Sequence, residues 1–266
     1  MELPSFLRRL KGRLEAPERG AATFTVTLRD FLIVSHAVPA ECARAHVPAG
    51  LPLDTRPDPQ TGEPVAFLQT TCFFNDNLHW SPLGGRGPGL SYHQSTYRML
   101  VKRGERRGAF FLRTYVGTSE SFAAQRAIAR EVDYAPFAVH VAGDPVQGRY
   151  DAYTVRAISE RGQTALDVRA GAAPVNPLFT DANDEAFFLT QREEGYFHAP
   201  TGRVGLMPVE HAPMHPARAA ELIAARLTLW TDDLSLLEKD DLLRPVSVLI
   251  QPSVVFTTFP PRPASL

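Results

Sequence analysis

The sequence predicts an α+β protein in which most of the chain forms antiparallel sheet, either strongly curved or closed into a barrel. Runs rich in Val, Thr, Phe and Tyr are separated by clusters of Gly, Pro and Asp. Apolar and polar residues alternate over 23–28, as in a half-buried strand. Few segments show helical spacing, so the helices are predicted as insertions in a sheet protein.

The predicted elements follow from these patterns. Strands are predicted at 23–34, 65–74, 92–101, 109–116, 137–141, 149–158, 164–170 and 246–259. Helices are predicted at 39–47, 121–132, 181–191 and 216–227. Pro39 and Pro216 suit a first helical turn, and Asp181 and Asn183 are natural N-caps.

Residues 1–22 are predicted as an N-terminal amphipathic helix followed by a linker, and residues 23–266 as a single domain. Apolar residues at helical spacing define one face of the helix, and basic residues fill the other: Leu3, Phe6, Leu7, Leu10 and Leu14 against Arg8, Arg9, Lys11 and Arg13. Such a helix docks on its own domain, on a second subunit in a homo-oligomer, or on a membrane surface.

Composition excludes several classes of function. The formal net charge of -1, from 28 basic and 29 acidic residues, provides no overall field for nucleic acid. No apolar run reaches the roughly 18 residues of a membrane span, and no signal region is evident, so we expect a cytoplasmic protein without an integral membrane segment. Cys42 and Cys72 are too few for a disulfide framework.

Lysine is scarce in this chain, and that limits covalent chemistry. Lys11, Lys102 and Lys239 are the only lysines, so nearly all basic residues are arginine. A Schiff base needs an amine, and a guanidinium cannot replace it. All three lysines lie in charged or loop segments, where we expect solvation.

Several short motifs follow one another in a characteristic order, at 35–39, 47–54, 97–101, 108–112, 130–137, 187–190 and 211–216. In this order the chain resembles an uncharacterised bacterial family, the YqjF-like proteins, which is grouped by fold with acetoacetate decarboxylase. The resemblance extends over residues 31–259. It implies the acetoacetate decarboxylase fold.

The same resemblance bears on activity. The decarboxylases carry Arg-Glu-x-x-Gly-Phe-Pro-Lys, whose lysine forms the Schiff base. Arg130, Glu131 and Pro136 match this motif, Tyr134 stands at its Gly, and Phe137 stands at its lysine. The YqjF-like family also has an aromatic residue there. The resemblance therefore implies a protein without Schiff-base decarboxylation.

Candidate site residues remain. Arg98 and Arg130 are candidates to hold a carboxylate bidentately, with Phe137 lining the same site. Glu131, Tyr134 and His36 are candidate acid/base or orienting groups. The alternative is structural: an ordinary Arg–Glu ion pair, core aromatics and a histidine satisfied by hydrogen bonds.

No metal or cofactor is predicted. His198, Glu210, His211 and His215 lie close in sequence, but Pro213 prevents the helix that would align His211 with His215. The sequence thus favours binding of a small apolar or carboxylated molecule without Schiff-base chemistry. The alternatives are a lyase or isomerase using acid/base catalysis in the same site, and a protein interaction module using the N-terminal helix.

Overall fold

A computed structural model describes residues 23–80, 89–171, 174–215, 217–218 and 221–266. The predicted N-terminal helix at 3–14 and the linker at 15–22 lie outside these residues. None of the helices in these ranges combines the length and the hydropathy that a membrane-spanning helix needs.

Strands dominate the described residues. They are β1 Phe24–Pro39, β2 Arg56–Pro57, β3 Pro64–Trp80, β4 Leu90–Arg103, β5 Arg106–Val116, β6 Val132–Tyr134, β7 Phe137–Asp144, β8 Arg149–Ser159, β9 Gly162–Arg169, β10 Glu194–His198, β11 Val204–His211, β12 Ala217–Arg218, β13 Glu221–Leu227, β14 Ser247–Thr258 and β15 Arg262–Pro263. The helices are α1 Ala40–Arg44, α2 Ser119–Arg126 and α3 Ala182–Thr190. Short 3-10 turns occur at Pro145–Gln147 and Asp241–Leu243, and a π-helical turn at Leu229–Asp233.

The larger sheet has eleven strands and is strongly curved. Its main path runs β12-β14-β1-β3-β4-β5-β10-β11-β15. Strand β11 also pairs with β14, which closes β14, β1, β3, β4, β5, β10 and β11 into a ring of strands. Most pairings are antiparallel, but β10 and β6 each run parallel to β5. The predicted α+β class with a curved, mainly antiparallel sheet is confirmed.

Side-chain alternation gives this sheet two different faces. Phe31 and Ile33 of β1 pack in one hydrophobic cluster with Phe188 and Leu189 of α3; we call this side the α3 face. Leu32 and Val34 point the other way and pack in a cluster with Tyr153, Trp230 and other residues of the second sheet and the π-helical turn. We call this side the second-sheet face.

The second sheet has four antiparallel strands in the order β13-β9-β8-β7. Two long-range hydrogen bonds fix it and the π-helical turn against the larger sheet. Trp230 Nε1 donates to Thr70 Oγ1 at 2.8 Å, and the Tyr97 hydroxyl donates to the Gln163 carbonyl at 2.9 Å. The second-sheet face is therefore closed by packing.

All predicted strands are confirmed, but the helix predictions fared less well. The predicted helix at 181–191 is α3, and Asp181 caps it by accepting from the backbone N–H groups of Asn183 and Asp184 at 2.8 and 2.9 Å. The helix predicted at 121–132 ends at Arg126, and the helix predicted at 39–47 is the shorter α1. The helix predicted at 216–227 is wrong, since 221–227 is β13, paired with β9. Pairing along a whole strand outweighed the helical propensity of its Ala, Leu and Arg residues.

Candidate functional site

A row of polar side chains crosses the α3 face of the ring. The register places Ser247 opposite Ser35, Ser35 opposite Gln69, and Gln69 opposite Arg98, on β14, β1, β3 and β4. We call these four residues the polar row. Gln69 Nε2 donates to Ser35 Oγ at 3.1 Å and to the carbonyl of Leu189 in α3 at 3.0 Å. Gln69 therefore ties the row to the helix that covers it.

Arg98, at the end of the row, has an incomplete set of partners. Its Nε donates to Gln69 Oε1 at 2.9 Å, and this is the side chain's one hydrogen bond to the described residues. No carboxylate of those residues lies within 4.0 Å of its guanidinium. Burial lowers the pKa of Arg98, and the nearby charge of Arg192 lowers it further, to about 9. The guanidinium therefore stays charged at neutral pH in a poorly hydrated place.

Arg192, in the same region, has the carboxylate partner that Arg98 lacks among the described residues. Arg192 and Asp54 are both almost fully buried, and Arg192 Nη1 lies 2.5 Å from Asp54 Oδ2. Arg192 also donates to the carbonyl of Phe188, and Arg107 Nε lies 3.5 Å from the same Asp54 oxygen. Asp54 is therefore already shared by two arginines, and Arg98 has no carboxylate partner in the described part of the chain.

Ring closure brings His211 of β11 to the same face as Arg98. Arg98 lies opposite Phe111 of β5. A Cβ added to Gly195 of β10 would lie 2.9 Å from the Phe111 ring, so Gly195 faces the same side. Gly195 lies opposite Met207, and His211 follows Met207 by four residues on one strand, which returns it to the same face.

The opposite way round the ring leads to the same place. From the polar row, Gln69 bonds Ser35, and Phe31 lies four residues before Ser35 on the same face of β1. The Phe31 ring lies 6.2 Å from that of Phe256 on β14, and Phe256 stacks on the His211 ring at 4.5 Å and 16°. Both paths therefore place His211 on the α3 face.

The His211 ring is buried and held in one orientation. Its Nδ1 lies 2.8 Å from the carbonyl of Ala212. Burial is the main reason that the pKa of His211 falls to about 4; the charge of Arg98 lowers it further, while the backbone carbonyls of Ala212 and Arg192 oppose the shift. His211 is therefore neutral at pH 7 and within electrostatic range of Arg98.

Arg130 and Glu131 lie instead in an ion-pair cluster at the surface, formed by Arg130, Glu131, Asp133 and Arg161. The Arg130 side chain is 54% exposed, and its Nε lies 4.0 Å from Glu131 Oε1. Arg161 lies 3.0 Å from Glu131 Oε2 and 3.4 Å from Asp133 Oδ1. No hydrogen bond or ion pair joins this cluster to the polar row within the described parts of the chain.

Tyr134 and Phe137, from the same segment, do not reach the polar row. Tyr134 is 49% exposed at the end of β6. Phe137 is half-buried at the start of β7 in the second sheet, where it packs on the core. Its ring is nearly parallel to that of His93, at 5.9 Å and 22°. Phe137 therefore fills space between the two sheets.

His36 is buried on the second-sheet face. It follows Ser35 directly on β1 and so points away from the polar row. Its Nε2 lies 3.0 Å from the carbonyl of Leu242, and burial lowers its pKa. The structure does not bring His36 together with Arg98.

The remaining candidates from the sequence analysis are the lysines and the possible metal ligands. Lys102 and Lys239 are both exposed. Over the described ranges, no group of three or more His, Cys, Asp or Glu residues is arranged to hold a metal ion.

Sequence reasoning missed Gln69, and it considered His211 only as a metal ligand. Gln69 had a usable signal, because it is a large polar residue inside the apolar run 65–74. Strand alternation puts Gln69 out of step with Leu68 and Thr70, on the face opposite to theirs. His211 had no comparable signal, since its position depends on the β11–β14 pairing that closes the ring.

Comparison with known proteins gives one family and several fold relatives. The sequence profile of the DUF2071 family, described as an uncharacterized conserved protein, matches residues 25–254. No protein with a curated description matches the chain.

The solved structures that resemble the chain are acetoacetate decarboxylase-like. An acetoacetate decarboxylase-like enzyme from Sphingomonas wittichii RW1 has a TM-score of 0.53 at 14% identity, covering 90% of each chain. Acetoacetate decarboxylase from Legionella pneumophila has a TM-score of 0.54 at 13% sequence identity, and the match covers 90% of this chain and 86% of that one. The enduracididine biosynthesis enzyme MppR, complexed with the condensation product of pyruvate and imidazole 4-carboxaldehyde, has a TM-score of 0.50 at 13% sequence identity. This match covers 91% of this chain and 88% of that one. At such identities the likeness concerns the fold.

Proposed function

The chain belongs to the DUF2071 family of uncharacterised proteins, and we propose that it binds a small carboxylate on Arg98, at the α3 face of the strand ring, without Schiff-base chemistry. The observation that carries this proposal is that no carboxylate of the described residues forms an ion pair with Arg98. Its one side-chain hydrogen bond to a described residue is to the neutral amide of Gln69.

The physical argument starts from the cost of a poorly hydrated charge. A guanidinium removed from water without a carboxylate partner is unfavourable, and a charged ligand that reaches it relieves that cost. Its Nε–H is committed to Gln69, which fixes the plane of the group. The Nη groups keep the parallel N–H pair that matches the two oxygens of a carboxylate.

The neighbourhood favours a small ligand with an apolar part. Phe111 lies opposite Arg98 across the β4–β5 pair, and Met207 lies opposite Gly195 on the adjoining strands. Both Phe111 and Met207 are half-buried and can contact a short carbon chain. MppR, of similar fold, is complexed with a pyruvate-derived compound, which agrees with this ligand class.

The surroundings of the described lysines and of Phe137 support a site without an amine mechanism. Lys102 and Lys239 are exposed, so neither has the desolvation that lowers the pKa of a Schiff-base lysine. Phe137, at the position of the motif lysine, packs between the sheets.

The test is a ligand-dependent stability measurement with matched ligand pairs. Unfolding temperature is recorded against increasing acetate, butyrate, pyruvate and benzoate, each paired with its neutral amide. We expect the carboxylates to raise the unfolding temperature and the amides to leave it unchanged. Arg98→Met should weaken binding on the order of 10- to 100-fold, the value of a charged hydrogen-bonded contact.

Arg130→Met is the matched control, because Arg130 carries the same charge at an exposed position. It should bind as the unmodified protein does. The proposal is wrong if none of the carboxylates stabilises the protein more than its amide, or if Arg98→Met binds as tightly as Arg130→Met.

A further inference from the structure

We propose that strand β7 is a self-association edge, through which two copies of this chain pair antiparallel about His140. The pairing joins their two four-stranded second sheets into one continuous sheet. This inference concerns a different surface from the carboxylate site at Arg98 and does not depend on it. It rests on an open strand edge, a self-complementary sequence along that edge, and exposed apolar side chains at both of its ends.

Strand β7 forms one edge of the second sheet. It pairs with β8 on one side, and no strand of the described residues pairs with its other side. Alternate backbone N–H and C=O groups of an edge strand point away from its neighbour and can form hydrogen bonds with a strand that lies alongside. The free side of β7 therefore presents a row of backbone donors and acceptors to a partner strand.

This edge lacks the features by which proteins discourage such pairing, which include charged side chains, proline and bulges. Residues 137–142 contain no Lys, Arg, Asp, Glu or Pro, and the register shift against β8 comes only after Ala142. The opposite edge of the same sheet, β13, carries Glu221 and Arg226 and has a register shift in its middle. Of the two edges, β7 is therefore the one suited to pairing.

The sequence of β7 reads the same in both directions about His140, as Ala138-Val139-His140-Val141-Ala142. In an antiparallel pair centred on His140, Val139 lies opposite Val141 of the second copy, and Ala138 lies opposite Ala142 of the second copy. Opposite residues of an antiparallel pair share a face, so valine meets valine on the core-facing side and alanine meets alanine on the outer side. Such self-complementarity is what a two-fold interface between identical chains requires.

The side chains of β7 are only partly covered in the single chain. Phe137, Val139 and Val141 pack on the core of the second-sheet face but remain half-buried. Ala138 and His140, on the outer side, are exposed. Contacts between Val139 and Val141 across the new pair remove apolar surface from water, which favours association.

Two large exposed apolar side chains flank the strand. Tyr134 is 49% exposed and lies six residues before His140, whereas Val146 is 91% exposed and lies six residues after it. Antiparallel pairing about His140 therefore brings Tyr134 of one copy towards Val146 of the other. These residues extend the contact beyond the strand edge, and a stable interface needs that additional area.

The first test is the oligomeric state of the full chain. Sedimentation equilibrium at concentrations up to about 0.1 mM should give twice the mass of the chain. His140→Lys places two ammonium groups opposite each other, so we expect the dimer dissociation constant to rise at least about tenfold. His215→Lys, the same change at an exposed histidine outside the second sheet, is the matched control and should leave the dimer unchanged.

The second test is specific for the register. In a Cys42→Ser background, which removes the exposed native thiol, His140→Cys places the Cβ atoms of the two new cysteines about 5 Å apart. Dibromobimane, which bridges only nearby thiols, should then link two chains. Ala138→Cys is the control, because its two copies lie about 13 Å apart along the paired strands and should not be linked.

A chain that stays monomeric up to about 0.1 mM overturns the proposal. A dimer that His140→Lys weakens no more than His215→Lys overturns it as well. Linking of Ala138→Cys as readily as His140→Cys shows another register or surface, and also contradicts it. Unfolding temperatures confirm that each variant is folded; if His140→Lys is not, His140→Asp repeats the like-charge contact with the opposite sign.

Discussion

The polar row and the surface ion-pair cluster each contain arginines, but their surroundings differ. In the cluster, Glu131 and Asp133 compensate Arg161 and Arg130 in contact with water. In the polar row, Arg98 is half-buried and meets a neutral amide. Exposed pairs of the first kind contribute little free energy, whereas a poorly hydrated, unpaired charge is costly and needs a partner.

This difference shows that residues matching a catalytic motif by sequence need not lie in the environment that the chemistry of the motif requires. The Arg-Glu of the 130–137 segment matches the decarboxylase motif by sequence, yet the structure gives this pair an ordinary surface environment. The arginine that lacks a carboxylate partner among the described residues is Arg98, on another strand. For this chain we therefore choose the candidate site arginine by its hydration and its ion-pair partners, and not by its match to the motif.

The largest effect expected concerns the buried pair of Arg192 and Asp54. Arg192→Met leaves Asp54 almost fully buried, and its remaining ion pair among the described residues is the 3.5 Å contact to Arg107. We expect the free energy of unfolding to fall by about 3–5 kcal/mol, measured by urea denaturation. Arg161→Met in the surface cluster should change it by less than about 1 kcal/mol. Equal effects of the two substitutions would remove the contrast between the regions.

A smaller effect is expected from acid. Folded His211 has a pKa of about 4, below the ordinary value of about 6.5. Between these two pH values, His211 is protonated in the unfolded chain and neutral in the folded protein. Stability is full above about pH 6.5 and falls as the pH drops towards 4, by up to about 3 kcal/mol from this residue.

The measurement compares urea unfolding at pH 7 and pH 4.5 for the unmodified protein and His211→Gln. His36 and His93 also have lowered pKa values and contribute in the same direction in both proteins. The variant should lose less stability than the unmodified protein between the two pH values. An identical loss would show that the buried ring is not disfavouring its charged form.

The smallest expected effect is on ligand affinity, and it tests whether Arg98 binds carboxylates because it has no carboxylate partner among the described residues. Gln69→Glu places a carboxylate opposite Arg98, where the amide oxygen now lies 2.9 Å from Nε. We expect carboxylate ligands to bind at least tenfold more weakly, about 1.4 kcal/mol, because Arg98 is then compensated internally. Gln69→Leu, which removes the amide without adding charge, should retain more affinity; the opposite order would contradict the electrostatic account.

Much of the fold could be predicted from the sequence, because strand periodicity and turn residues are local signals. The eight predicted strands and the Asp181 cap illustrate this. Residues 221–227 were misjudged because their strand pairing with β9 is not visible in local propensity. Arg98 could be named from the sequence as a ligand-binding candidate, which remains a proposal. Its isolation from Glu131, and its proximity to His211, depend on which face of the ring each strand presents.

Closure of the ring has a consequence for how this protein folds. Strand β14 pairs with β1 from Phe24 opposite Thr258 to Ser35 opposite Ser247, so nearly the whole chain must be brought together before the ring exists. Contacts between such distant residues slow folding relative to local ones. Arg98 and His211 lie on the same face of one closed ring only because of that pairing. Recovery of carboxylate binding during refolding should therefore be among the last signals to return, later than the secondary structure.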